Sequence, residues 1–257
     1  MNSKIVSYYS SRLQRRIHLG GLLPVQQGRK SVRLASVLRT KLPAPPATGD
    51  VDPDGKIVLG IDDNDTLGCC MEVSKGTHAR ITAFKELGLV LPDDPDAVKI
   101  NYLRETGGQD TGLDPDKALQ DYVDMGFTFS DGRNVKIQLF MDCDTDLADD
   151  TKFAITYLNG LFCGFNLPNS AISQFDKGEP WDVVKDDGGI AGGHSTYGWA
   201  YDADNALWVS TWGKRQKVTP AFRKKYAMLF QVAIPVVLPG GVLDVDKMEM
   251  ALVQASQ

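Results

Sequence analysis

The order in which hydrophobic spacing changes along the chain limits its fold more than any other feature. Helical spacing comes first. Residues 69–87 (CCMEVSKGTHARITAFKEL) suit a long helix, with Cys70, Val73, Ala79, Ile81 and Phe84 as inward positions. Residues 115–125 suit a shorter helix, capped by Asp114 with Pro115 in the first position, and residues 147–158 suit a third. A strand follows at 161–167, then a short helix around Ala171 and a Gly-rich loop over 188–193. Strand patterns then run in series at 194–201, 206–212, 217–218 and 229–238, the first two joined by the turn YDADNA. Helices first and hairpin-linked strands later predict an α+β fold rather than alternating βαβ units.

Charge divides the chain at a different place. Residues 1–49 hold nine basic residues (Lys4, Arg12, Arg15, Arg16, Arg29, Lys30, Arg33, Arg39, Lys41) and no Asp or Glu. The other 19 basic and all 33 acidic residues lie in 50–257, a net of −14 hidden inside a chain total of −5. The division predicts a basic arm at 1–42, a Pro-rich linker at 43–56, a folded domain at 57–238 and an amphipathic tail at 239–257 that caps the body or touches a partner. In the arm, residues 8–17 suit a short helix and 31–38 a helix or strand, with Gly20, Gly21 and Pro24 as breakers between them. Such an arm orders against something anionic. A protein partner, such as a neighbouring subunit of an assembly, is one reading. Folding back as a propeptide across a cleft of its own body is another, and nucleic acid is a third.

Several classes are excluded. No apolar run approaches the roughly 18 residues of a membrane span, and Gln14, Arg15, Arg16 and His18 interrupt any signal-like core. The four cysteines (Cys69, Cys70, Cys143, Cys163) contain no C-x-x-C pair, which argues against a disulfide framework or structural zinc. Asp50 to Gly55 opens like a calcium loop, but Ile61 stands where the bidentate Glu belongs. Asp142, Asp144, Asp146, Asp149 and Asp150 lack the turn glycine, with Leu147 in its place. Both stretches read as solvated acidic turns, and no metal or cofactor is expected.

The chemistry-bearing residues are a cysteine and a histidine far apart in sequence. Cys70 opens the predicted long helix, where the helix N-terminus favours a thiolate, and Gly68 just before it permits close backbone approach to a substrate. His194 follows Gly192-Gly193 and opens a strand. A thiol, a base to take its proton, a group to orient that base and donors for the oxyanion make up nucleophilic cysteine catalysis. His78, along the long helix, and His18, in the arm, read as packing and contact residues.

Three motifs carry a family resemblance: NDTLGCCM (64–71), FCGFNLPNSAISQF (162–175) followed by GEPWDVV (178–184), and GGHSTYGWAYDAD (192–204) followed by WVSTWGKRQKVT (208–219). In this order they resemble the papain-like cysteine peptidases, and more closely the compact papain-like proteins of bacteriophages and bacteria. The resemblance covers about residues 57–235 and leaves out the arm. It implies a papain-like α+β fold: a helical half carrying Cys70 packed on a twisted antiparallel β half carrying His194. It also implies Cys70 as nucleophile, His194 as general base, Asn64 with the Cys70 N–H as oxyanion donors, and Ser210 as the group that orients His194. The activity implied is cleavage of peptide or isopeptide bonds through an acyl-enzyme. The alternative implied is a catalytically weakened structural protein of a phage virion, docked through its basic arm. Either reading places the protein in a virion or in host cytoplasm.

Overall fold

The computed structural model of the chain describes residues 5–26, 31–34, 43–146 and 148–235. In chain order the elements are β1 (Val6–Ser10), β2 (Arg15–Leu19), β3 (Gly49–Asp50), α1 (Cys70–Leu87), α2 (Pro95–Glu105), α3 (Pro115–Asp124), β4 (Phe127–Thr128), β5 (Asn134–Val135) and β6 (Ile137–Cys143), then α4 (Ala148–Tyr157), β7 (Leu161–Pro168), α5 (Asn169–Lys177), β8 (Ile190–Tyr201), β9 (Leu207–Thr211), β10 (Lys214–Val218), α6 (Pro220–Tyr226) and β11 (Ala227–Pro235).

The fold is α+β, as expected. One antiparallel sheet runs in the order β10-β9-β8-β7-β11-β6, with β3 added beside β8. The long strand β8 pairs with β7 on one side and β9 on the other, and its register shifts between Gly198 and Ala200. A Cβ on Gly198 would stand 3.0 Å from both Cys163 Sγ and Leu161 Cδ2, so glycine lets the strand bend here against the core. Three helices start on one local device, a capping side chain followed by proline. Asp94 accepts from Ala97 N, Asp114 from Asp116 N and Lys117 N, and Thr219 from Phe222 N. Helix α1 has no such side-chain cap, and its first amides face the site described below.

Helix α1 packs across β8, tied to it by a 2.9 Å contact between the hydroxyls of Ser74 and Ser195. Instead of one inward face, nearly every residue from Cys70 to Ala83 is buried, with Val73 half-exposed. The buried charges among them are paired. Lys75 Nζ lies 2.9 Å from Glu72 and also meets Glu105, and Arg80 lies 2.6 Å from Asp62. Pairing of this kind is what permits polar residues on every face of an enclosed helix.

Four expectations need correction. Residues 8–17 form no helix: β1 and β2 make a hairpin pairing Val6 with Leu19 through Ser10 with Arg15. The alternation of Val6, Tyr8 and Ser10 against Ile17 and Leu19 outweighs local helical propensity. The body begins before residue 57, because Gly49 and Asp50 already pair with Tyr201 and Ala200. Gly192 and Gly193 are not loop but strand, inside β8. Helices α2 and α6 and strand β6 were not anticipated. The acidic turns serve the backbone. Asp52 accepts from Lys56 N and Ile57 N at 2.8 Å, and Asp150 accepts from Asp144 N at 3.0 Å. Among the described residues no cluster of three His, Cys, Asp or Glu is set to hold a metal ion, and no helix is long and apolar enough to cross a membrane. The expected tail, 239–257, lies outside the described residues.

Candidate active site

The helical wall of the site begins in the turn before α1. Asp62 and Asp63 adopt positive φ (49° and 63°), and the buried Asp62–Arg80 pair holds them against α1. Asn64 sits in the same turn, its amide N–H donating to Leu67 O at 3.0 Å. Gly68 N donates to Asp110 at 2.9 Å, and Tyr102 OH donates to the same carboxylate oxygen at 2.7 Å. The chain then enters α1. Cys69 turns away from the cleft toward Asp62 O, and Cys70 Sγ accepts a 3.3 Å hydrogen bond from Ser195 N. That bond ties the thiol to the strand β8 at the residue following His194.

The sheet wall positions His194 through the β9–β10 hairpin. Its two turn residues, Trp212 and Gly213, both have positive φ (46° and 72°), which matches the twist of the flanking strands. The turn lays the Trp212 ring on the imidazole, with centroids 4.5 Å apart and planes 21° apart. Thr211 Oγ1 lies 2.8 Å from His194 Nε2. Ser210 does not reach the ring, because neighbours on a strand face opposite sides. Its hydroxyl instead donates to Tyr197 O at 3.5 Å. The hydroxyl at the ring is therefore that of Thr211, one place beyond the position motif spacing suggested. His194 Nδ1 is buried and makes no hydrogen bond.

Both reactive groups are held neutral. Burial pushes the Cys70 thiol up to about 12, against backbone N–H donors from Ser195, Met71 and Cys70 that pull it down. Burial pulls His194 down to about 3. Their cover is the arm. After β2 the chain crosses the cleft between the two walls. His18 N donates to Asn64 O at 3.1 Å, Gly20 N to Gly193 O at 2.9 Å, Leu113 N to Gly21 O at 2.8 Å, and Leu23 N to Leu113 O at 2.9 Å. Ile17 and Leu19 of the hairpin and Leu22 just after it are buried. Outside the cleft, Arg12 donates to Phe175 O and stacks 4.9 Å above the Phe175 ring, Ser10 bonds to Asp176, and Arg15 pairs with Asp65 at 3.1 Å. Within the arm, the described residues 5–26 thus pack on the chain's own body.

Of the four residues that spacing nominated, Cys70 and His194 come from opposite walls, Cys70 bonded to Ser195 N, the backbone amide next along the chain from His194. Asn64 lies in the wall with its amide donating to its own turn, and Ser210 faces away. Sequence reasoning missed Thr211, the Trp212 stack, the Asp110 anchor and the covering strand. Only Trp212-Gly213 had a local signal, a two-residue turn between strand patterns.

No protein-family model matches the chain, and no curated protein matches it either. Solved structures do. Xylellain, a cysteine protease from Xylella fastidiosa, aligns at a TM-score of 0.62 and 14% identity over 84% of this chain and 98% of its own. The cysteine protease and lectin-like domains of Cwp84 from Clostridium difficile align at 0.62 and 12% identity, over 94% of this chain and 63% of theirs. Procathepsin B from Trypanosoma congolense aligns at 0.59 and 12% identity, over 84% and 87%. The fold is that of the papain-like cysteine proteases.

Proposed function

We propose that the protein is a papain-like thiol hydrolase kept latent by its own N-terminal strand. The observation that carries this reading is the arrangement of the two walls at the cleft. Cys70 Sγ lies against Ser195 N, and the adjacent His194 has a bare Nδ1 while Thr211 engages its Nε2. With Nε2–H donating to Thr211, the Nδ1 lone pair is free to take the thiol proton. The thiolate then attacks a peptide carbonyl carbon, and the carbonyl oxygen gathers charge near the uncapped α1 amides, including Cys70 N–H. The imidazolium returns the proton to the leaving amine as the C–N bond breaks. Water, deprotonated by the same imidazole, opens the thioester, releasing a carboxylic acid and restoring the thiol. Removing the arm relieves the burial that holds both groups neutral and leaves the helix N-terminus in place to favour the thiolate.

The test is labelling with a thiol-reactive acylating probe at neutral pH, followed by site mapping. In the intact chain Cys70 should label slowly. In full-length Leu22→Asp, where a carboxylate cannot enter the apolar socket, labelling should concentrate on Cys70, and a mixed peptide library should be hydrolysed. Slow labelling shared among the four cysteines in both proteins would refute the reading.

The closed, neutral site also favours a second reading, a papain-like structural protein of a phage virion with weakened catalysis. It expects Leu22→Asp to expose Cys70 without hydrolysis. The motif pattern favours a phage or bacterial source under either reading, with a virion or host-cytoplasm location.

A further inference from the structure

The covering strand is a peptide already seated in the cleft, and the way it fits says which peptides the cleft takes. Four glycines of the body meet it with backbone alone. A Cβ on Gly68 is not what limits the passage; the limit is on the strand, where a Cβ on Gly21 would stand 2.1 Å from Gly68 O. A Cβ on Gly112 would stand 2.7 Å from Gly21 O, one on Gly192 would stand 2.9 Å from Gly20 N, and one on Gly193 would stand 2.2 Å from Leu22 O. Gly20 itself has φ +87°, a conformation that side chains rarely adopt. These walls cannot swing aside as a flexible side chain would. Gly68 is tied to Asp110, Gly112 N donates to Tyr102 OH at 2.9 Å, and Gly192 and Gly193 are strand residues paired with Leu167 and Asn166.

Directly beyond this waist the cleft widens into a socket. Leu22 lies there buried among Met71, Pro115, Phe162 and Leu229, with Ser195 and Gln231 also at the wall, and only about 10 Å³ of space remains. The socket floor is Gly164, where a Cβ would stand 2.8 Å from Leu22 Cδ2. A leucine fits with nothing to spare.

We infer that the cleft is cut for diglycine: it accepts peptides whose two residues at the waist beside Cys70 and His194 are glycines, with a leucine-sized apolar residue next to them in the socket. The chain's own Leu19-Gly20-Gly21-Leu22 is the pattern. Cleavage of such peptides rests on the thiol-hydrolase reading, whereas their binding does not.

Two measurements on full-length protein test this. In the first, Gly21→Ala in the otherwise intact chain should unseat the strand and raise Cys70 labelling at least about tenfold, as Leu22→Asp does. In the second, synthetic peptides spanning residues 17–24 are added to Leu22→Asp. The natural Gly-Gly peptide should protect Cys70 from the probe at a concentration at least about tenfold lower than its Ala-Ala counterpart. A version with Asp at the socket position should protect poorly. Equal protection by the Ala-Ala peptide, or no change in labelling for Gly21→Ala, overturns the inference. Protection by Gly-Gly without hydrolysis keeps the diglycine waist and refutes the hydrolase. Hydrolysis of Gly-Gly and Ala-Ala peptides alike keeps the hydrolase and refutes the waist.

Discussion

His78 and His194 are buried equally, and burial pulls both down to about 3. Their surroundings differ. His78 uses both nitrogens, Nδ1 at 2.8 Å from Tyr122 OH and Nε2 at 3.4 Å from Thr82 Oγ1, inside a ring of Tyr122, Phe162 and Tyr197. His194 uses only Nε2, and the cleft beside it is closed by the arm rather than by the core. A low histidine pKa therefore reports enclosure and not function. What separates the two is whether the enclosure can be removed and whether a nitrogen is left over.

The contrast is broken most sharply by exchanging losses. In the Leu22→Asp background, His194→Ala should cut the rate of Cys70 labelling by about 10²-fold or more, the size of a lost general base, with little change in urea unfolding. His78→Ala should do the opposite. A cavity and an orphaned Tyr122 hydroxyl should cost about 2–4 kcal/mol in urea unfolding, with labelling of the folded fraction unchanged. Equal effects on both readouts would erase the distinction.

Acid gives a smaller effect with a definite sign. Both imidazoles titrate lower in the folded chain than the ordinary 6.5, so the unfolded chain binds more protons and stability falls as pH drops from 6.5 toward 3. At pH 5 each histidine contributes a loss of at most about 2 kcal/mol. In Leu22→Asp the share from His194 should shrink while that from His78 persists, which denaturant melts at pH 7 and pH 5 would resolve.

The smallest effect concerns the orienting group. Thr211→Val should slow Cys70 labelling in Leu22→Asp by about tenfold, the worth of one hydrogen bond. Thr211→Ser should restore it, and Ser210→Ala should leave it unchanged. A loss on Ser210→Ala instead would return the orienting role to the position that motif spacing suggested.

That one-residue difference shows what was legible. Cys70, His194 and the helix-then-strand order could be read because each rests on a local pattern: a turn ending in glycine before a helical run, a Gly-Gly-His start to an alternating run, and a change of period. Which of Ser210 and Thr211 faces the ring depends on where the Trp212-Gly213 turn ends β9, and a one-residue slip inverts every side chain on the strand. The burial of α1 from Cys70 to Ala83 was hidden by Glu72, Lys75 and Arg80, which look solvent-facing until their partners arrive from α2 and from the turn at Asp62. Gly20 and Gly21 were read as breakers within the arm, because nothing local indicates four more glycines waiting across the cleft.

Those six glycines have a dynamic consequence. A one-residue slide of the strand in either direction would drive Leu19 or Leu22 between backbone walls that leave no room for a side chain. The strand has no partly shifted positions to occupy and is either seated or out. Its departure should be a single all-or-none event, so exposure of Cys70 across a population of molecules should follow one exponential rather than a spread of rates.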